Sequence, residues 1–267
     1  MKMHAAAWTG RWMIGGALCG VLAALVVFAP ASWLALGAAR ASEGKVLLDA
    51  PRGTVWDGSA QLVLSGGAAS KGAFSLPSRL HWRIAPVWLG FDLSLHAPCC
   101  ASAASPVLIG LRSASWHINS TGLQLPVDML AGLGAPWNTL QFSGNLRFSA
   151  NQLTGTWSPN QDPGPMSGQA SLEATDVATA LSTVRPLGSY RLTSASEQLQ
   201  LTTIQTAGAD SAALQLSGRG QVTGGRVSFD GEAMASKGYE EALSNLLHIV
   251  GQWQPSPDGR SRSILKL

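Results

Sequence analysis

Apolar and polar residues divide the chain into one long apolar run and a longer region in which the two kinds alternate. The apolar run covers residues 12–36, lies between Arg11 and Arg40, and contains no charged residue. A helix rises about 1.5 Å per residue, so about 20 apolar residues are needed to cross a bilayer. The run therefore predicts a single transmembrane helix, within which Pro30 is expected to kink or end the helix.

A cleaved signal peptide is the alternative to this anchor. Residues 39–41 read Ala-Arg-Ala and fit the small-residue pattern of a cleavage site. Residues 12–36 nevertheless form a longer run than the roughly 7–15 apolar residues of a signal peptide. We favour the anchor, with residues 1–11 as a cytoplasmic tail, because a long following domain translocates largely regardless of charge. Residues 37–45 are predicted to be a short linker.

Period-two alternation dominates the rest of the chain, residues 46–267. Leu80, Trp82 and Ile84 share one parity, and similar alternation recurs in residues 91–96, 140–148, 198–203, 214–218 and 226–231. This pattern places one face of a strand on a core, and its repetition at short spacing favours antiparallel sheet. We predict a mainly β fold, in which a single N-terminal transmembrane helix precedes a predominantly antiparallel β-sheet domain with a few short helices.

Helical patterns interrupt the strands in three places, residues 126–133, 176–184 and 238–250. The last pattern has one apolar face, formed at i, i+3, i+4, i+7 spacing by Leu243, Leu246, Leu247 and Val250. Such a face most often packs on a sheet. The alternative is a candidate interaction surface, in which these four residues dock a partner or a membrane.

Two features bear on the organisation of the alternating region. Residues 151–168 are rich in Pro, Asn, Asp and Gly, so they are the best candidate for a boundary inside the domain. Residues 130–148 and 181–193 also resemble each other, because each pattern combines a short helix, a proline turn and a strand pair. We interpret this echo as a structural duplication.

Composition and motifs exclude several functional classes. Charged residues make up 12% of the chain and apolar residues 46%, which is not the composition of a disordered chain. The net charge of +3 is small and the basic residues are scattered, so no nucleic-acid partner is expected. The sequence contains no nucleophile elbow, phosphate loop or cysteine–histidine cluster with zinc spacing. We therefore predict neither enzymatic activity nor a cofactor, metal or small-molecule substrate.

Three cysteines occur in the chain. Cys19 lies in the apolar run and is expected to pack as a small hydrophobic residue. Cys99 and Cys100 are adjacent, and the Cα separation that a disulfide prefers is hard to reach between neighbours. Two separate thiols are the favoured interpretation, although an oxidising compartment would permit a bridge.

Three stretches of the chain together resemble the type II secretion system protein N family of Gram-negative bacteria. The first is the N-terminal span followed by residues 53–60, the second is residues 226–233, and the third is residues 242–251, closed by residues 260–265. The likeness is carried by Gly53, Thr54, Trp56, Gly58, Phe229, Gly231, Asn245 and Gly251. Residues 100–200 match less well.

The resemblance implies a single-pass protein of the inner membrane, with its N-terminus in the cytoplasm and its main domain in the periplasm. It implies an accessory component of the machine that exports folded proteins across the outer membrane. Other inner-membrane and periplasmic subunits of that machine are then the expected partners. The resemblance implies no enzymatic activity and no catalytic residues.

Two functions remain open at this stage. In the first, the protein is a structural and interaction protein, and an exposed strand edge or the helix at residues 238–250 contacts other subunits. In the second, it is a membrane-anchored protein that binds or transfers lipid, because a curved sheet with one apolar face would form a groove for acyl chains. A continuous apolar groove would favour the second function, whereas a sealed, close-packed core would exclude it.

Overall fold

The computed structural model describes residues 4–66, 73–101, 106–113, 115–133, 137–156, 164–205, 212–223, 226–250, 252–255 and 261–266. The helices are α1 (His4–Val27), α2 (Ala31–Ala41), α3 (Trp137–Leu140), α4 (Glu240–Val250) and a 3₁₀ helix at Val127–Leu133. The strands are β1 (Val46–Gly53), β2 (Asp57–Ser65), β3 (Ala73–Ser75), β4 (Leu80–Val87), β5 (Gly90–His96), β6 (Val107–Arg112), β7 (Ser115–Pro126), β8 (Phe142–Thr156), β9 (Met166–Thr179), β10 (Gly188–Ala195), β11 (Gln198–Ile204), β12 (Leu214–Thr223), β13 (Arg226–Ala235), β14 (Gln252–Pro255) and β15 (Ser261–Lys266).

The strands form one sheet in which most strands pair antiparallel with the strands before and after them in the chain. The order is β1-β2-β4-β5-β6-β7-β8-β9-β10-β11-β12-β13-β15-β14, and β3 pairs with β2 beside this path. Short connections produce such a meander, because a tight turn is enough to reach an antiparallel neighbour. The predicted mainly β, antiparallel fold with few helices is confirmed.

The N-terminal apolar run forms two helices rather than one helix over residues 12–36. α1 begins at His4 and ends at Val27, and α2 follows from Ala31. Pro30 lies between them in an extended conformation, φ −70° and ψ 147°, so the proline ends the first helix as its chemistry predicts. α2 also takes in the first part of the expected linker. Within the described part of the chain, no helix has the length and hydropathy of a membrane-spanning helix.

The shorter helical predictions had mixed outcomes. The pattern at residues 126–133 forms the 3₁₀ helix, and the pattern at residues 238–250 forms α4. The helix predicted at residues 176–184 is wrong, because β9 continues to Thr179. Val177 there pairs with Gly188 of β10, and Ala178 pairs with Ser143 of β8. Pairing on both sides therefore decides the conformation against the local helical pattern.

The sheet continues on both sides of the expected boundary at residues 151–168. β8 extends into this range and β9 begins within it, and the two strands pair with each other. The similarity between residues 130–148 and 181–193 is only partial, because residues 181–187 form turns and bends rather than a helix. Only the strands of the two similar stretches correspond.

One face of the sheet collects apolar residues from successive strands. Trp82 pairs with Leu95, while Leu192 pairs with Leu172 on one side and Leu201 on the other. The opposite face carries cross-strand ion pairs, Arg83–Asp57, Arg112–Asp92 and Arg191–Glu173. The alternation in the sequence thus separates an apolar face from a polar face over much of the sheet.

Buried clusters lie on the apolar face near both ends of the strand order. Near the N-terminal end, Ala31 of α2 packs with Ala60 and Trp82. Beside this cluster, Leu62 of β2 and Leu123 of β7 pack on the same buried group, although three strands separate β2 from β7. The sheet must curve there for those strands to share one cluster. At the other end, the buried cluster consists of Leu187, Ala213, Leu214, Ala233, Ala235, Leu243, Leu246 and Leu247.

Candidate interaction surface

The apolar stripe of α4 is a core face. Leu243 and Leu247 are fully buried and Leu246 is nearly so, in the cluster with Leu214 and Ala233. They are therefore not an accessible docking surface, and the core alternative holds for these three residues. The side chain of Val250 lies outside the described part of the chain. α4 instead presents Ile249, which is 62% exposed, together with Asn245.

The block at residues 53–60 forms the turn between β1 and β2. Gly53 has φ +86°, in the left-handed region that favours glycine. The backbone N–H of Thr54 donates to the Asp57 carbonyl at 2.9 Å, and the Asp57 N–H donates to the Thr54 hydroxyl at 3.1 Å. Gly58 does not need a positive φ, but its Cα lies against the ring of Trp82. This block therefore has a structural role in a tight turn.

The same turn joins α1 to the sheet. The indole N–H of Trp56 donates to the Val26 carbonyl at the end of α1, at 2.7 Å. The Val55 N–H donates to the Ala29 carbonyl at 2.8 Å, and the indole of Trp82 donates to the Val55 carbonyl at 3.0 Å. These bonds attach the chain at the end of α1 to the turn between β1 and β2 and, through Trp82, to β4. The sequence indicated the motif at residues 53–60, but it did not indicate that Val26, Ala29 and Trp82 are its hydrogen-bond partners.

The ring of Phe229 packs over glycines of β12 and β13. Gly218 of β12 lies opposite Gly231 of β13, and Gly220 lies opposite Phe229. The phenyl ring of Phe229 lies close to all three glycines, where side chains would otherwise stand. An aromatic ring over glycines restores contact area that the glycines lack. Gly251 lies outside the described residues.

The adjacent cysteines are bridged, so the prediction of two separate thiols is wrong. Cys99 and Cys100 are joined at an S–S distance of 2.07 Å, with their Cα atoms 3.7 Å apart. Cys100 is buried with Leu76 and Ala97. The third cysteine, Cys19, is a free thiol exposed on α1.

Two histidines lie together on neighbouring strands of the sheet. His81 and His96 stack with their ring centroids 4.9 Å apart, on paired positions of β4 and β5. Among the described residues, no three His, Cys, Asp or Glu side chains are grouped to hold a metal ion. Tyr190, which sequence reasoning passed over, donates from its hydroxyl to the Leu214 carbonyl at 3.0 Å, and burial raises the pKa of that hydroxyl.

The apolar face is open in the middle of the sheet. Leu192, Leu199, Leu201 and Phe229 are half-buried there, between the clusters under α2 and α4. The described core is therefore not sealed along its whole length.

These features define a class of protein: a long antiparallel sheet with one apolar face, attached at one end to an exposed apolar helix. The family description "Type II secretion system (T2SS), protein N" matches residues 44–262, a range that includes the stretches at residues 53–60, 226–233 and 242–251. The chain belongs to that family and is a component of a type II secretion system. No curated protein and no solved structure matches the chain.

Proposed function

We propose that this chain is an accessory inner-membrane component of the secretion system that acts as a structural and interaction protein. α1 is the anchor, with the N-terminus in the cytoplasm and the sheet in the periplasm. The observation that carries the proposal is the exposure of α1: Leu18, Val21, Leu22, Leu25 and Val26 are each more than half exposed. Residues 16–27 of α1 are apolar on every side, and exposed apolar side chains of this kind require an apolar surrounding, which a bilayer supplies.

The junction between α1 and the sheet supports a fixed placement of the domain at the membrane. Trp56 and Val55 each bond to the chain at the end of α1. Ala31 and Leu34 of α2 then pack against the sheet with Trp82. A domain held in this way stands at a defined height above the bilayer, as a scaffold subunit requires.

Contacts with other subunits are proposed at the edges of the sheet. β1 begins the strand order and β14 ends it, so each presents an outer edge in the described sheet. Backbone N–H and C=O groups at an edge can pair with a strand of another protein. This mode of contact needs no pocket and no catalytic residue.

A secretion assay tests the proposal. In a strain that lacks this chain, we expect folded type II substrates to accumulate in the periplasm and to decrease in the medium. The full chain should restore export, and a periplasmic marker that does not use the system should be unaffected. Unchanged export in the deletion strain would count against a role in secretion.

Lipid binding on the apolar face is the second candidate, favoured by the half-buried residues in the middle of the sheet. Leu201 lies on the apolar face and Thr202 points to the opposite face, so the two positions are matched neighbours. A photo-cross-linker at Leu201 should form phospholipid adducts in cells if acyl chains bind there, whereas one at Thr202 should not. Equal labelling at both positions, or none, would exclude a groove on this face.

A further inference from the structure

The turn between β4 and β5 presents large apolar side chains to solvent. Trp88 is 88% exposed and Leu89 is 67% exposed, and Phe91 just beyond the turn is 44% exposed. Val87, the last residue of β4, is also exposed. Contiguous exposed apolar residues of this size mark an interaction site rather than a folding requirement.

The backbone of this turn makes its composition harder to explain by folding. Leu89 has φ +60°, in the left-handed region. Two-residue hairpin turns usually place Asn, Asp or Gly in that conformation, because other side chains are disfavoured there. A polar turn would therefore fold more easily, so folding alone does not explain why Trp88 and Leu89 occupy this turn.

The turn lies at the same end of the sheet as the junction with α1. Asp57, the first residue of β2, pairs with Arg83, so residues 84–87 extend beyond β2 by about 13 Å at about 3.3 Å per residue. The ring of Phe91 contacts the ring of Trp56, with centroids 6.1 Å apart. Trp56 in turn bonds to Val26 of α1. A chain of contacts therefore connects the turn to the end of the apolar helix.

We infer that Val87, Trp88 and Leu89 insert into the interfacial layer of the bilayer in which α1 is anchored. The inference rests on the proposed anchoring, because α1 defines where the bilayer is. Trp favours the headgroup region, where its ring is buried and its N–H stays wet. The same end of the sheet carries Arg52, Arg83 and Arg112 against Asp57 and Asp92, an excess of positive charge that suits phosphate headgroups.

Depth-dependent quenching tests the inference on the full chain in phospholipid nanodiscs. The native thiol of Cys19 takes a fluorescent label on α1, since it is the exposed free cysteine. In a Cys19→Ala background, Leu89→Cys and Trp88→Cys place the same label on the turn. Leu181→Cys is the matched control, because Leu181 is an exposed leucine that follows β9 at the opposite end of the sheet.

We expect nitroxides deep in the acyl chains to quench the Cys19 label, and nitroxides near the headgroups to quench both turn labels but not the control. Quenching at Cys19 with none at either turn position would overturn the inference while leaving the anchor intact. Absence of quenching at Cys19 would instead contradict the anchoring. Equal quenching at Leu181→Cys would show that the sheet lies flat on the bilayer, which also overturns a specific role for the turn.

Discussion

Gly58 shows how one residue without a side chain permits the turn that joins β1 to β2. A Cβ at this position would lie 2.6 Å from Cζ2 of Trp82 and 2.7 Å from the Arg52 carbonyl oxygen. Neither backbone nor a packed indole can move away cheaply. The close approach of the ring and two strands at this point therefore depends on glycine.

Gly58→Ala is expected to lower the free energy of unfolding by about 2 kcal/mol through overpacking. Gly37→Ala is the matched control, because a Cβ at Gly37 in α2 meets nothing within 4 Å. The control should be neutral or stabilising by about 0.5–1 kcal/mol, since alanine favours a helix. Urea unfolding of both variants in detergent would measure the difference, and equal stability would contradict the contact at Gly58.

Tyr190 predicts a specific sensitivity to alkaline pH. Burial raises the pKa of its hydroxyl above the value of about 10 in an unfolded chain, so the neutral form is favoured in the folded state. Its contribution to stability is complete below about pH 10 and is lost as the pH rises from there toward the folded pKa. Below that range, Tyr190 should make no pH-dependent contribution.

Tyrosinate absorbance measures this effect directly, because the chain has two tyrosines. In a Tyr239→Phe variant, the absorbance reports Tyr190 alone. We expect it to rise together with loss of near-ultraviolet circular dichroism. A rise near pH 10 with the fold intact would contradict burial of the hydroxyl.

At the scale of residues, the turn at Gly53 could be predicted from the sequence, whereas the partner of Trp56 and the cysteine bridge could not. Gly53 could be assigned to a turn from its neighbours, and its positive φ agrees. The partner of Trp56, however, lies 30 residues earlier, and nothing in the spacing reveals it. The bridge between Cys99 and Cys100 likewise depends on the local backbone conformation, which the adjacency of two cysteines in the sequence does not specify.

At the scale of elements, α4 holds the C-terminal end of the apolar face closed. Leu247→Asp is expected to destabilise the domain by about 3–5 kcal/mol, because it removes a buried side chain and buries an unpaired charge. Ile249→Asp is the control two residues away, on the exposed side of α4. Thermal unfolding should separate the variants clearly, and a similar melting temperature would show that the leucine face is accessible.

The junction between α1 and the sheet allows a second prediction for an element. Trp56→Phe removes the donor to Val26, a hydrogen bond worth about 1 kcal/mol. The Val55 amide, which bonds to Ala29 beside it, should then exchange hydrogen faster. Trp116→Phe is the matched control, because Trp116 lies on β7, which three strands separate from β2 and the junction. Unchanged exchange in Trp56→Phe would mean that the indole does not secure the junction.

The secondary structure of an element could be predicted from the sequence where its local pattern and its tertiary contacts favour the same conformation. α4 has acidic residues in its first turn and one apolar face, and it forms at Glu240–Val250. The helix predicted at residues 176–184 failed because β9 has strands on both sides, and such pairing cannot be read from one segment. Pro30 was rightly expected to interrupt the apolar run, but α2 beyond it gains its stability from packing on the sheet.

At the scale of the molecule, antiparallel architecture follows from repeated short alternation, and the order of strands follows from short connections. The curvature of the sheet, which lets β2 and β7 residues share one buried cluster, does not follow from either. It depends on the register shifts in β7 and β8, which change which side chains face the core.

The central claim is that this chain is a membrane-tethered scaffold within a type II secretion system. The most direct measurement is in-cell photo-cross-linking from Leu47 on the edge strand β1 and Ile249 on α4, both exposed, followed by mass spectrometry of protein and lipid adducts. The account predicts adducts with inner-membrane subunits of the same secretion system from at least one position. Recovery of phospholipid from both positions, without any secretion subunit, would contradict the scaffold and favour lipid binding.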